Sequence, residues 1–246
     1  MANVDYQLME EKRPRLGVIV LQVDETIEDD LRQLFHPDHV RLHITRIPSG
    51  AELNPETIRT METQLPAAAG LLPPAVNFDA VAYACTSGTT LIGASRVAQL
   101  VHEGCTTKAV TDPLTAALAA VQALRLGRIG IVSPYIASVA GPIRNAFIQQ
   151  GIDVPDMRTF GEEVEANVAR IAPGSIKAAA RALAASNDLD GIFLSCTNLR
   201  TLAVIPELEA ELAMPILSSN QVLAWHIAKL AAVPISTDAS GLLFAL

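Results

Sequence analysis

The chain has 246 residues, half of them hydrophobic and 18% charged, which is enough apolar material for one large core or two smaller ones around a cleft. A net charge of −8 denies it the basic face that nucleic acid or an anionic membrane would need, so neither is an expected partner. The N-terminus mixes both signs of charge without a long apolar run, and no later run reaches the roughly 20 apolar residues of a spanning helix, so a cytoplasmic protein is expected.

Short runs rich in Val and Ile alternate with longer Ala/Leu segments of helical period, the pattern of βα units in parallel sheets covered on both faces. In chain order the pattern predicts a strand over Leu16–Leu21, a helix over Asp24–Phe35, a strand over Val40–Ile47 and a helix over Pro55–Ala69. A strand over Ala80–Ala84, a helix over Thr89–Glu103, a strand over Lys108–Val110 and a helix over Leu114–Leu126 follow. Beyond these come a strand over Arg128–Val132, helices over Ala137–Gln150 and Gly174–Ser186, strands over Gly191–Leu194 and Ile216–Leu217, and a helix over Asn220–Ala232. Gly104, Gly127 and Gly151 sit where helix C-caps belong.

The sequence also repeats itself. RLGVIV at 15–20 returns as RIGIVS at 128–133, and FDAVAYACT at 78–86 returns as LDGIFLSCT at 189–197. KAVTDPLTAALAAV at 108–121 and PILSSNQVLAWHIA at 215–228 match more weakly. The offsets of 113, 111 and 107 residues place a seam near Leu126–Arg128. The expected fold is therefore α/β, with two pseudo-symmetric halves, 15–126 and 127–246, each a short mostly parallel sheet flanked by helices. The C-terminal helix is allowed to cross over, and the active site is expected in the cleft between the halves. Ligands of open parallel sheets sit beyond the carboxyl ends of the strands, where both matched Cys-Thr pairs lie.

Of the three cysteines, Cys85 and Cys196 occupy equivalent places in the repeat, whereas Cys105 has no counterpart and reads as packing. A sulfur after a buried strand and before a polar turn receives backbone N–H groups, and the positive end of a helix adds to them. Both favour thiolate over thiol, so each cysteine is a candidate base or nucleophile. The same N–H groups and the hydroxyls of Thr86, Ser87 and Thr197 can hold a carboxylate or a developing enolate. No C-x-x-C or His-rich cluster offers metal-ligand spacing, and His36, His39 and His43 read as surface polar residues, so no metal or cofactor is expected.

These residues carry a resemblance. A strand leading into CTSG in the first half, a strand leading into CTN in the second, SPY after the first strand of the second half, and the fused halves resemble the aspartate/glutamate racemase superfamily. The likeness lies with its maleate cis–trans isomerase and arylmalonate decarboxylase branch and runs from about Arg15 to Trp225. In the superfamily's racemases, the resemblance implies, one cysteine removes the α-proton and the other delivers a proton to the opposite face. In the maleate isomerases, it implies that Cys85 attacks the double bond while Cys196 acts as acid. The decarboxylases keep only the second cysteine, so Cys85 speaks against decarboxylation. Their oxyanion donors match Thr86, Ser87 and Tyr135, and Thr197 and Asn198 follow Cys196 into the same site.

The resemblance also has departures. Where the maleate isomerases carry an asparagine after the first strand, this chain has Asp24 in Leu21-Gln22-Val23-Asp24-Glu25-Thr26. An ionised aspartate accepts hydrogen bonds and repels a substrate carboxylate. Asp24 is also a good cap for a helix starting at Glu25. A second pocket asparagine of that family falls within FGEEVEANVAR, leaving Glu163, Glu165 and Asn167 as candidates. Extra carboxylates suit a substrate with an amino or amidinium group beside its carboxylate, and these changes are similar to the ectoine-utilisation protein A family.

The leading expectation is a cofactor-independent racemase or isomerase of a small carboxylic acid. The alternatives are an arylmalonate-type decarboxylase that uses Cys196 as proton donor, and a small-acid binding or sensor protein. The apolar segments 66–76 and 231–246 suggest a subunit interface and hence a homo-oligomer.

Overall fold

A computed structural model describes residues 3–52 and 54–246. The Val/Ile runs that become the inner strands are buried on both faces, which is why they read as continuous apolar stretches. The first half runs β1 (Arg15–Leu21), α1 (Ile27–Leu34), β2 (Arg41–Ile47), α2 (Pro55–Ala69), β3 (Ala80–Ala84), α3 (Thr86–Ile92), α4 (Ala94–Gly104), β4 (Val110–Thr111) and α5 (Pro113–Ala123). The second runs β5 (Ile129–Tyr135), α6 (Ala137–Gln149), β6 (Met157–Glu162), α7 (Glu165–Val168), α8 (Pro173–Ser186), β7 (Gly191–Leu194), α9 (Ile205–Leu212), β8 (Ile216–Ser218) and α10 (Ser219–Ala231).

The two halves share one topology. Each builds a four-stranded, all-parallel sheet, in the order β2-β1-β3-β4 and β6-β5-β7-β8. The chain leaves β1 for β2 on one side and returns to β3 on the other, which opens a crevice at the carboxyl ends of β1 and β3. Val20 pairs with Ala84 there, so Asp24 and Cys85 follow strands that end level. In the second half Val132 pairs with Leu194, and β5 and β7 deliver Tyr135 and Cys196 to the equivalent crevice.

Helices cover all four sheet faces. One continuous core joins the α2/α4 side of the first sheet to the α8/α9 side of the second, passing through Cys85, Tyr135 and Cys196. The opposite faces exchange their last helices. Leu223, Ala224, Ile227 and Ala228 of α10 pack on Val18, Val20, Ala82 and Ala84 of the first sheet, beside α1. Ala116, Ala117, Ala120 and Val121 of α5 pack on Ile129, Ile131, Phe193 and Leu217 of the second sheet, beside α6.

Several expected boundaries move, each for a local reason. The single helix expected over Thr89–Glu103 is two helices, because Gly93 takes φ +94 between them. The helix expected from Asp24 starts at Ile27, since the Asp24 carboxylate accepts from the Thr26 and Ile27 N–H groups at 2.8 and 2.9 Å ahead of the first turn. The fourth strand begins at Val110 and not at Lys108, whose ammonium turns outward to Asp79 at 2.6 Å. Gly127 is no helix cap. Arg125 takes the left-handed conformation after α5, while the Gly127 N–H donates to Asp190. Gly104 serves a close crossing, because a Cβ there would stand 2.3 Å from the Pro66 carbonyl oxygen. Gly151, at φ +79, is the expected left-handed stop.

The C-terminal segment expected at an interface folds back on its own chain, burying Val233 and Leu243. In the segment 66–76 Leu72 is buried and Leu71 exposed. Among the described residues no helix is long and apolar enough to cross a membrane.

Candidate active site

Cys85 is the N-cap of α3, and its Sγ accepts from the Gly88 N–H at 3.2 Å and lies 3.7 Å from the Ser87 Oγ. Gly88 is required by space: a Cβ there would meet the Tyr83 hydroxyl at 2.5 Å and the thiol itself at 2.9 Å. Cys196 has no helix after it, only a turn, and its φ of +125 is a strained conformation for a residue with a side chain. Its Sγ lies 2.8 Å from the Tyr135 hydroxyl and accepts from the Asn198 N–H at 3.2 Å. Each thiol thus has its own donors, a helix-cap amide for one and a tyrosine plus a turn amide for the other.

The two Cys-Thr motifs interlock across the cleft. The Thr197 hydroxyl donates to the carbonyl of Ala84 at 3.3 Å. The Ser219 Oγ accepts from the Cys196 N–H at 2.9 Å and sits 2.8 Å from the Thr86 Oγ1. When Ser219 donates to Thr86, the Thr86 proton is free for a ligand. Asn198 is a brace: its Oδ1 accepts from the Glu25 N–H at 2.8 Å, its Nδ2 donates to Glu165 at 2.9 Å, and its carbonyl accepts from Thr26.

Two carboxylates share this closed space. Glu165, 1% exposed, keeps one oxygen on Asn198 and leaves Oε1 without a hydrogen-bond partner among the described residues. Asp24 uses Oδ1 to cap its turn, and Oδ2 is likewise unpartnered. Burial drives both carboxyls up toward the neutral form; the charge of Asp24 adds to that push on Glu165, while the Arg46 guanidinium eases it at Asp24.

Burial also controls the thiols, which are 2% and 1% exposed at Cys85 and Cys196. It pushes Cys85 up to about 11, with Ser87 and the Gly88 N–H pulling back and the Glu165 charge pushing further. Cys196 is driven higher by burial and then by Glu165 and Asp24, against the donors Tyr135 and Asn198. The expected preference for thiolate is therefore reversed in the closed site. The N–H donors are present, but desolvation and the neighbouring carboxylates outweigh them.

The structure brings together Cys85, Cys196, Asp24, Thr86, Ser87, Tyr135, Thr197 and Asn198. It leaves Glu163 and Asn167 exposed, because the short helix α7 turns only Glu165 inward. The Thr197 side chain bonds to Ala84, and the Asn198 side chain bonds to Glu25 and Glu165. Ser219 stood in no motif read for chemistry, yet the third and weakest repeat placed it at the end of the strand equivalent to β4. Cys105 is half-buried, its thiol directed at the Val101 carbonyl. Among the described residues no cluster of His, Cys, Asp and Glu is arranged to hold a metal ion.

Comparison with known proteins bears on this geometry. The family model described as arylmalonate decarboxylase matches residues 78–244. The arylmalonate decarboxylase of Bordetella bronchiseptica is 31% identical over 122 residues, which span 49% of this chain and about half, 51%, of that one. The maleate isomerase of Nocardia farcinica is 24% identical over 245 residues, 92% of this chain and 94% of that one. The solved structure of a cysteine-to-serine mutant of Nocardia farcinica maleate cis–trans isomerase, with a covalently bound succinylcysteine intermediate, has the same fold. Its TM-score is 0.85 at 22% identity, covering 95% of this chain and 98% of that one.

Proposed function

This chain belongs to the arylmalonate decarboxylase family, and from that premise we propose that it is a cofactor-independent isomerase or racemase of a small carboxylic acid, worked by Cys85 and Cys196. The observation that carries the reading is the pair of thiols at matched strand ends, each with separate donors, interlocked in one closed site. Two acid–base groups on opposite sheets can take a proton from one face of a substrate and return one to the other, or add a thiolate and expel it. Thr86, Ser87 and Tyr135 supply hydroxyls to the charge that develops beside the reacting carbon.

The substrate we propose carries a nitrogen cation, amino or amidinium, beside its carboxylate. Asp24 Oδ2 and Glu165 Oε1 are buried acceptors without partners, and a cation satisfies both. The same cation offsets the push that the carboxylates add to burial at the thiols, which favours thiolate when the right substrate is bound. Such an acid is of the kind that the resemblance to the ectoine-utilisation proteins implies.

The test is proton exchange from deuterated water into a panel of small carboxylic acids, followed by NMR. An isomerase or racemase labels or converts an acid without loss of mass. Cys85→Ser and Cys196→Ser are each expected to cut the rate more than about 10³-fold, the order seen on removing a nucleophile or its base. Full turnover in either variant overturns the two-thiol reading. A second reading, decarboxylation with Cys196 as proton donor, is favoured by the family match and the 2.8 Å Tyr135–Cys196 contact. Release of carbon dioxide from a malonate-type acid, unaffected by Cys85→Ser, would establish it. Maleate and aspartate as protectants against alkylation separate the substrate classes: aspartate protects the native thiols, and Asp24→Asn shifts protection toward maleate.

A further inference from the structure

Val4, Tyr6, Leu8 and Met9 stand in solvent together, Met9 at 96% exposure. Val4, Tyr6 and Leu8 alternate with Asp5 and Gln7, the period-2 pattern of a half-buried strand, yet the segment pairs with no strand among the described residues. Its root is fixed. The Glu11 carboxylate accepts from the guanidinium groups of Arg13 and Arg41, each at 2.7 Å, and Arg13 also donates to the Pro37 carbonyl at 2.8 Å. From that clamp the arm runs out into solvent.

Arg41 and Pro37 also line a groove of about 690 Å³ between α1 and β2, floored by Phe35, Val40, Leu42 and Ile44. β2 is the edge strand of its sheet, so its outer backbone groups have no ladder. Leu42 and Ile44 lie two residues apart on one face and are only partly covered by the core around α1. An exposed strand pattern without a sheet therefore stands next to an exposed sheet edge without a strand.

We propose that residues 4–9 of one copy add as a strand along β2 of a second copy, with Val4, Tyr6 and Leu8 filling the groove. The rim carries Glu28 beside Arg32 and Arg41, and these arginines are already paired with Glu28 and Glu11, so the added strand is held by backbone hydrogen bonds and apolar contact. The exchange is reciprocal about a two-fold axis, so each copy gives an arm and receives one. This contact is remote from the thiols and stands whether or not the catalytic reading does.

The test is the mass of the full-length chain by light scattering over a hundredfold concentration series, with circular dichroism to follow folding. The unaltered protein is expected at twice the chain mass. An arm variant, Tyr6→Glu with Leu8→Glu, and a groove variant, Ile44→Glu, are each expected to halve that mass; the arm variant changes only exposed positions and keeps the native melting curve. A native protein that is monomeric throughout, because the arm is free or lies in its own groove, overturns the proposal. So does a dimer that survives the arm variant.

Discussion

At the level of single residues the chemistry turns on which charges face the sulfurs. Tyr135 lowers the Cys196 pKa by its hydrogen bond, and Glu165 raises it by its charge. Two substitutions should therefore move thiol reactivity in opposite directions. Tyr135→Phe removes the donor, and alkylation of Cys196 at pH 8 should slow about 10-fold, one pKa unit being tenfold in thiolate. Glu165→Gln removes the charge but keeps an acceptor for Asn198, and both Cys196 and Cys85 should alkylate faster, Cys196 by about 10-fold. Mass spectrometry of iodoacetamide-treated protein, with Cys105 as internal reference, reads both, and rates that move the same way would refute this account of the field. The paired cysteines were legible in the sequence because the repeat duplicated them with their threonines. Glu165 was narrowed only to a segment, since Glu163, Glu165 and Asn167 are equally polar in sequence and only the turn of α7 separates them. Ser219 was hidden because its hydroxyl matters through a contact 23 residues away in the chain.

At the level of elements, a buried carboxylate ties α1 to α10. Asn220 donates to the Asp30 carboxylate at 2.7 Å and to the Thr197 carbonyl at 2.8 Å, so this pair braces the turn that carries Cys196. Burial pushes Asp30 from its usual 3.8 up to about 6, against the hydrogen bond from Asn220. Between those values the folded chain holds a proton that the unfolded chain has lost, so stability falls as pH rises from about 4 to 6, by about 3 kcal/mol in all. Asp30→Asn keeps an acceptor for Asn220 and removes the titration. Melting temperatures should coincide below the window, and the variant should melt higher above it; parallel curves across this range would exclude Asp30 as the source. Elements with strong apolar period, such as β1, β3, α2 and α6, were legible nearly to the residue. β6 was not, because it is an edge strand with a mostly exposed MRTFGE sequence that offers no hydrophobic alternation. The break at Gly93 escaped notice because a lone glycine inside a helical stretch is often tolerated without ending it.

For the whole molecule the helix exchange decides whether the two halves are separable. The repeat revealed two halves of one build, but sequence order does not say which sheet a helix covers. α5 and α10 are rich in apolar residues on most of their faces, so either could lie on either sheet. In the structure each sheet's outer face is closed by the other half's last helix. A fragment 1–126 lacks α10 and bares Val18, Val20, Ala82 and Ala84, while a fragment 127–246 lacks α5 and bares Ile131, Phe193 and Leu217. At about 25 cal/mol per Å² of apolar surface, losing a whole helix from a sheet face outweighs the ~5–15 kcal/mol that a domain of this size has to spare. Neither fragment alone should show a cooperative melt by circular dichroism. Mixed or co-expressed, they should recover one sharp transition, because α5 and α10 also pack on each other and restore both faces at once. A sharp transition from either fragment by itself would mean that the sheets close without the exchange. The thiols would then be held together by the contacts across the cleft, such as those of Thr86, Ser219, Thr197 and Asn198, and motion between the halves would be freer to open the site.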